Sequence, residues 1–212
     1  RFEALLGLAQ KFHLKGKSVE FLLCKKVMTA CQMFKYNTIG EDINWLIDQK
    51  NQKIKNIMCL DCFKHGYDSL AKIGYVNVIN PRVEKGEYSK KINIKKLDFE
   101  DMQKLIIDGI PFGEQALAGA LRYFCIGSLK STKEHIDVLK LFLKSALDYA
   151  DSLYELFTKK NFSRIICHHG VYVPHGITVE IAKKFEIPIS VWNLSYRKGT
   201  FMMSEGDTYH RT

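Results

Sequence analysis

The chain has 212 residues, 46% hydrophobic and 26% charged, which is typical of a globular protein that buries a full core. No apolar run approaches the roughly 18 residues of a membrane span, and six cysteines with no visible secretory leader favour a reducing compartment over a disulfide framework. A net charge of +9 from scattered lysines suits an anionic partner such as a nucleotide sugar or a phospholipid surface, but no nucleic-acid-binding motif accompanies it, so no nucleic acid partner is expected.

The first half of the chain alternates between helical and strand-like patterns. Apolar residues at helical spacing predict a helix over residues 1–14, and the compact apolar run 19–24 predicts a buried parallel strand. Because a helix leads directly into this strand, we expect a preceding strand and its loop to be missing before Arg1. The pattern then predicts a short helix over 41–49, a helix over 63–73, a strand over 75–79 and an exposed basic loop over 82–96.

The second half continues the alternation. Asp98 is placed to cap a helix that runs to about residue 107, and Ser131 or Thr132 is placed to cap a long helix that ends near residue 159. Between them, residues 114–124 predict a helix with Gly and Ala on one face, which allows a backbone or a ligand to approach closely. The overall order predicts one α/β domain over residues 1–212, Rossmann-like, with a mostly parallel sheet and helices on both faces.

Residues 164–210 contain most of the candidate chemistry. The apolar run 165–167 places His168 and His169 at the end of a strand, the position where open α/β sheets bind ligands. Imidazole suits acid–base work near neutral pH, and if both residues are still in the strand only one faces a cleft. Backbone amides at the start of the helix that follows Pro174 would hold an anion, with His175 beside them. The alternative interpretation is one core histidine and one surface-turn histidine.

Two further groups follow the next strand, predicted over residues 187–192. Asp207 and His210 are three residues apart, so they would share a proton or orient each other; the alternative is a solvated turn. Tyr196 and Arg197 would contact a phosphate or a carboxylated sugar, the alternative being a basic surface loop.

Four cysteines have spacings that suggest a metal site. Cys59 and Cys62 form a C-x-x-C pair, and Cys24 with Cys31 would supply the other half of a tetrahedral zinc site. A second C-x-x-C is absent, and the alternative for Cys24 is a buried structural thiol.

Five blocks of sequence carry a resemblance to a known family: residues 21–31, 59–66, 121–129, 168–176 (H-H-G-V-Y-V-P-H-G) and 192–212 (W-N-L-S-Y-R-K-G-T-F-M-M-S-E-G-D-T-Y-H-R-T). Through these the chain resembles bacterial capsule or surface-polysaccharide biosynthesis proteins of the glycosyltransferase kind. Two positions depart from the pattern: Lys25-Lys26 replaces an acidic-glycine pair, and Glu205 stands where His is usual.

The resemblance implies the N-terminal, acceptor-side half of a GT-B architecture, with a donor-binding domain after Thr212. The implied function is transfer of a sugar from a nucleotide-sugar donor to a glycan acceptor, with no obligatory cofactor, on the cytoplasmic side and with peripheral association at the inner face of the membrane. On its own the chain is expected to fold and to be inactive. The alternatives are a sugar-nucleotide epimerase or hydrolase, and a non-catalytic binding module of a polysaccharide export complex. The expected catalytic residues are His169, Asp207 and His210, and the expected substrate-binding residues are His168, Gly170, Tyr172, His175, Gly176, Asn193, Tyr196 and Arg197.

Overall fold

A computed structural model describes residues 2–25, 27–35, 46–47, 52–72, 77–79 and 86–208. The chain divides into two compact units, Arg1–Val27 with Lys50–Arg82 and Met28–Gln49 with Val83–Thr212. The single domain expected over residues 1–212 stays a prediction. Most of the helix expected over residues 41–49 lies outside the described residues.

The described residues form helices and strands in an alternating order. Six α-helices are present among them: α1 (Phe2–Leu14), α2 (Gln52–Ala71), α3 (Phe99–Lys104), α4 (Phe112–Phe124), α5 (Lys133–Lys159) and α6 (His175–Lys184). The strands described are β1 (Glu20–Leu22), β2 (Asn77–Ile79), β3 (Ile165–His168), β4 (Ile189–Leu194) and β5 (Phe201–Glu205). Over the same described ranges, no helix is both long enough and apolar enough to cross a bilayer.

The first unit contains α1, α2 and a parallel pair of strands. Glu20 lies opposite Asn77, and the register of β1 with β2 continues from there. Helix α2 begins at Gln52, well before the start expected near residue 63. Its first half gives a weak sequence signal because apolar side chains spread around the helix, and Ile57 and Leu60 are each about half exposed.

The second unit is built on a three-stranded sheet in the order β3-β4-β5. Strands β3 and β4 are parallel, with Ile165 opposite Ile189, whereas β4 and β5 are antiparallel, with Leu194 opposite Phe201. Residues 195–200 between β4 and β5 are too few for the crossover that a parallel pair needs, so they close a hairpin. The α/β class expected from the sequence is therefore confirmed, but the mostly parallel Rossmann-like sheet is not.

Helices α4, α5 and α6 form the core beside this sheet. Capping residues fix two starts as the sequence predicted: Thr132 accepts a hydrogen bond from the His135 amide at the start of α5, and Asp98 caps α3. A Cβ on Gly119 would lie 2.4 Å from Phe142 Cδ1, so the small face of α4 serves its close packing against α5. Phe142 is fully buried, which contributes about 1.5–3 kcal/mol to stability.

Candidate functional site

Strand β3 ends at His168, and the chain leaves it through a sharp turn. His168 lies opposite Trp192 with ring centroids 4.7 Å apart, and the next amide, of His169, donates to the Trp192 carbonyl at 3.0 Å. His169 and Gly170 both have left-handed backbone, with φ of 66° and 67°. A Cβ at position 170 would also lie 3.0 Å from Thr208 Cβ, so a side chain there would be both strained and crowded.

This turn changes the expected placement of the two histidines. We refer to residues 168–176 as the histidine loop. Because the strand stops at His168, the two imidazoles do not alternate across a sheet; their rings meet edge to face at 4.0 Å. We expected one histidine on each face of the sheet only if the strand continued through His169. Because it does not, that expectation does not apply.

The third imidazole of the loop, His175, occupies the first turn of α6. Its ring centroid lies 6.0 Å from that of His168. Burial disfavours its charged form and His169 adds repulsion, and together these lower the pKa of His175 to about 4. His175 is therefore neutral at neutral pH, and it offers a hydrogen bond but no positive charge to an anion.

The start of α6 is occupied by groups of the protein itself. The Gly176 amide donates to the Tyr172 carbonyl at 2.7 Å. The side chain of Gln115 packs against Gly176 so closely that a Cβ there would lie 1.8 Å from Gln115 Oε1. Gln115 is 2% exposed, and its Oε1 has no hydrogen-bond partner among the described residues. The amide of Gly176, expected to hold an anion, is thus already committed to Tyr172.

Asp207, which follows β5, is held in an ion pair. Asp207 pairs with Lys183 of α6 and accepts a hydrogen bond from the Thr208 amide at 2.6 Å. Its carboxylate is therefore tied to α6, while Thr208 Oγ1 donates to the carbonyl of His169 at 3.5 Å. His210, the other residue predicted to work with Asp207, lies outside the described residues.

Glu205, the last residue of β5, contacts residues of the neighbouring strands. It accepts a hydrogen bond from Ser190 at 2.8 Å and pairs with Arg164, and these two contacts lower its pKa. These contacts join the edge of β5 to β4 and to the residue before β3. The structure gives Glu205 a sheet-stabilising role.

Three of the residues expected to bind substrate lie at the end of β4 and in the turn that joins it to β5. Asn193 accepts a hydrogen bond from the amide of Leu194 at 2.8 Å. Tyr196 is 88% exposed, and the guanidinium of Arg197 lies 5.6 Å from its ring centroid. The side chains of Tyr196 and Arg197 are thus exposed, and the expected contact with a phosphate or a carboxylated sugar stays a prediction.

An open cleft of about 750 Å³ adjoins the histidine loop. One wall is a face of α4, and the other is formed by the histidine loop and by Thr208 after β5. The lining residues are Lys35, Glu114, Gln115, Ala118, Leu121, Arg122, Cys125, Ile126, Val171, Tyr172 and Thr208. Of the predicted site residues that the structure describes, Tyr172 lines this cleft, and His169 lies beside it with a ring centroid 6.1 Å from that of Tyr172.

Arg122 is the cleft residue that the sequence reasoning missed. Its Nε donates to the Gln32 carbonyl at 3.2 Å, and its guanidinium carbon lies 5.3 Å from the ring centroid of Tyr172. Gln32 is itself bound to the loop through its amide, which donates to the Val173 carbonyl at 3.0 Å. The sequence shows Arg122 as a single arginine in a helix with many small and apolar residues. It does not show what Arg122 contacts, because Gln32 and Tyr172 are distant from it in sequence.

Four cysteines were predicted to form a zinc site. In the ranges that the structure describes, no three His, Cys, Asp or Glu side chains are placed to hold a metal ion. Cys24, Cys31, Cys59 and Cys62 all fall in those ranges as free thiols, and the zinc site stays a prediction. Burial, and to a smaller extent Cys24, raise the pKa of Cys62, while burial raises the pKa of Cys167 in β3 to about 12.

Comparison of the chain with models of protein families, with curated proteins and with solved structures finds no match. The site is therefore interpreted from its own geometry.

Proposed function

We infer that the chain is a glycosyltransferase domain of capsule or surface-polysaccharide biosynthesis, which transfers a sugar from a nucleotide-sugar donor to a glycan acceptor. The observation that carries this proposal is the open cleft beside the histidine loop, which follows the carboxyl end of β3. Its walls combine a carboxylate, an amide, a guanidinium and a tyrosine ring, the groups that bind sugars. In this proposal the domain is the Rossmann-like, acceptor-side half of a GT-B enzyme.

His169 is the proposed base. Its half-buried ring stands next to two residues that line the cleft, since it neighbours the ring of Tyr172 and its carbonyl accepts from Thr208. In the reaction, the imidazole takes the proton of the acceptor hydroxyl as that oxygen bonds to the anomeric carbon of the donor, and the bond from that carbon to the nucleotide breaks. His168 contacts His169 directly and orients it. No metal is assigned to this reaction.

The test is a transfer assay on the full-length protein with a panel of nucleotide sugars and isolated capsule glycan. We expect His169→Ala to lower the rate by about 10²–10⁴-fold. His65→Ala is the matched control, because His65 is exposed on α2, and its rate should equal that of the wild type. An unchanged rate in His169→Ala removes this role. Nucleotide-sugar turnover without any acceptor would instead favour the epimerase or hydrolase.

The proposal includes a cytoplasmic location at the inner face of the membrane. The β4–β5 hairpin supports it, because Tyr196 and Phe201 are exposed there next to the cations Arg197 and Lys198. Exposed aromatic rings beside cations suit the headgroup region of an anionic bilayer. In this proposal the hairpin binds the anionic lipids of the membrane surface.

A further inference from the structure

The cleft contains an arginine whose orientation is fixed by the protein itself. The Gln32 carbonyl holds Nε of Arg122, and the ring of Tyr172 lies against its guanidinium. None of the ion pairs in the described part of the chain involves Arg122. Two of its contacts are thus structural, and its positive charge remains for a ligand of the cleft.

Polar and small side chains continue along the same face of α4. Gln115 precedes Arg122 by seven residues, two helical turns or about 10 Å along the axis. Ala118 lies between them and leaves space over the helix, and all three line the cleft. Gln115 Oε1 itself is buried against Gly176, so only the rest of this side chain is available to the cleft that Gln115 lines. The face therefore offers a cation at one end and a polar side chain at the other.

We propose that this cleft binds an acidic carbohydrate, whose anionic group contacts Arg122 and whose hydroxyl groups extend along α4 towards Gln115. The guanidinium is the side-chain group best suited to fork-like recognition of a carboxylate or a phosphate. A neutral sugar lacks the group that Arg122 recognises, so the cleft selects for charge. This inference names the class of acceptor for the proposed function. The binding of an acidic carbohydrate does not depend on the proposed function, but its role as the acceptor in sugar transfer does.

Binding is measured without nucleotide sugar, by titration calorimetry with three probes: glucuronic acid, glucose 1-phosphate and glucose. We expect at least one anionic probe to bind about tenfold or more tightly than glucose, the loss expected when a charged hydrogen bond is missing. Preference for glucuronic acid identifies a carboxylate, and preference for glucose 1-phosphate identifies a phosphate. Equal binding of all three probes, or binding of neither anion, overturns the proposal.

Two charge-removing variants separate this site from the general positive charge of the protein. Arg122→Gln should weaken the preferred anion by about tenfold or more. Lys133→Gln is the control, because Lys133 is an exposed cation at the start of α5 that does not line the cleft, and its affinity should equal that of the wild type. Equal losses in both variants would mean non-specific attraction and would overturn the site.

Arg122→Lys keeps the positive charge but loses the two parallel N–H donors of the guanidinium, so this variant should also bind the preferred anion more weakly. Unchanged affinity in this variant counts against the site even if Arg122→Gln fails to fold, and the selectivity of the wild type decides the matter if both variants fail to fold. Binding of an acidic sugar with no transfer to any acceptor would contradict the glycosyltransferase proposal and leave this inference standing. Transfer to neutral acceptors without anion binding would contradict this inference and leave the glycosyltransferase proposal standing.

Discussion

The carboxylate of Asp151, in the middle of α5, accepts a hydrogen bond of 2.6 Å from the backbone amide of Tyr88, 63 residues earlier in the chain. The amides of Gly86 and Ser89 donate to the same carboxylate, both at 3.2 Å. Asp151 is only 4% exposed. One buried side chain thus organises the loop before α3, and Gly86 is needed because a Cβ there would lie 2.5 Å from Asp151 Cβ.

Asp151→Asn should destabilise the protein, because it places an N–H donor where the loop presents only donors. We expect the free energy of unfolding to fall by about 1–3 kcal/mol, the penalty for unsatisfied buried polar groups. Urea unfolding followed by circular dichroism measures the change. Asp137→Asn is the control on the same helix, with an expected change within about 0.5 kcal/mol; equal losses in the two variants would contradict the role given to Asp151.

Gly176→Ala should destabilise the start of α6, since the new Cβ overlaps the side chain of Gln115. Overpacking in a filled interior costs about 1–3 kcal/mol. The double variant Gly176→Ala/Gln115→Ala should recover most of this loss, and the double-mutant cycle should give a coupling of about 0.5–3 kcal/mol.

Gly127→Ala is the control for this cycle, because nothing lies within 4 Å of a Cβ at that position. Thermal denaturation of the four proteins and the control supplies the comparison. Strict additivity of Gly176→Ala and Gln115→Ala would show that the two side chains do not compete for space.

His175 should make the protein less stable in mild acid. The pKa of His175 is lowered from 6.5 to about 4 by folding. Between these values the unfolded chain binds a proton that the folded protein does not, so stability falls as the pH drops from about 6.5 to about 4. One pKa unit corresponds to 1.36 kcal/mol, and because the ring is half-buried we expect the loss to be about 1–2 kcal/mol.

His175→Gln should remove this part of the pH dependence. Urea titrations at several pH values between 4 and 7 measure the slope, and His65→Gln, at an exposed position, should leave it as in the wild type. An identical slope in His175→Gln and the wild type would refute the assignment.

The hairpin should bind anionic vesicles. Tyr196→Ser should reduce co-sedimentation with vesicles that contain phosphatidylglycerol, because it removes the most exposed aromatic ring of the surface, 88% exposed. We expect about a tenfold weaker partition, because burial of about 50 Å² of the ring at about 25 cal/mol per Å² contributes about 1.3 kcal/mol. Tyr67→Ser, which removes a ring 48% exposed on α2, is the control. Equal binding of wild type and Tyr196→Ser would exclude the hairpin as the contact.

Local sequence signals predicted much of this fold. Thr132 and Asp98 act as caps where their side chains suggested, and the apolar run before His168 forms β3. These features depend on neighbours within a few residues, which the sequence displays. The sequence did not predict that β5 runs antiparallel to β4, because residues 195–200 do not have the Asn-Gly or Asp-Gly signature of a tight hairpin.

The candidate site was predicted less well, for a physical reason. The histidine loop was found because its imidazoles and glycines are consecutive in sequence. The contact of Arg122 with Tyr172 joins two elements 50 positions apart, and the ion pair of Asp207 with Lys183 likewise forms only through tertiary packing. The structure thus gives Asp207 a contact with α6 that no local pattern shows, and the predicted pairing of Asp207 with His210 stays a prediction.

Two non-glycine residues of the histidine loop have a strained backbone. His169 and Tyr172 both have left-handed backbone, with φ of 66° and 69°, a conformation that costs a non-glycine residue about 1–3 kcal/mol. Glycine at either position would relieve that strain and would remove the ring. The backbone at these two positions thus favours glycine, whereas the cleft needs the imidazole and the phenol, so relief of backbone strain and preservation of the cleft act in opposite directions at the same two residues.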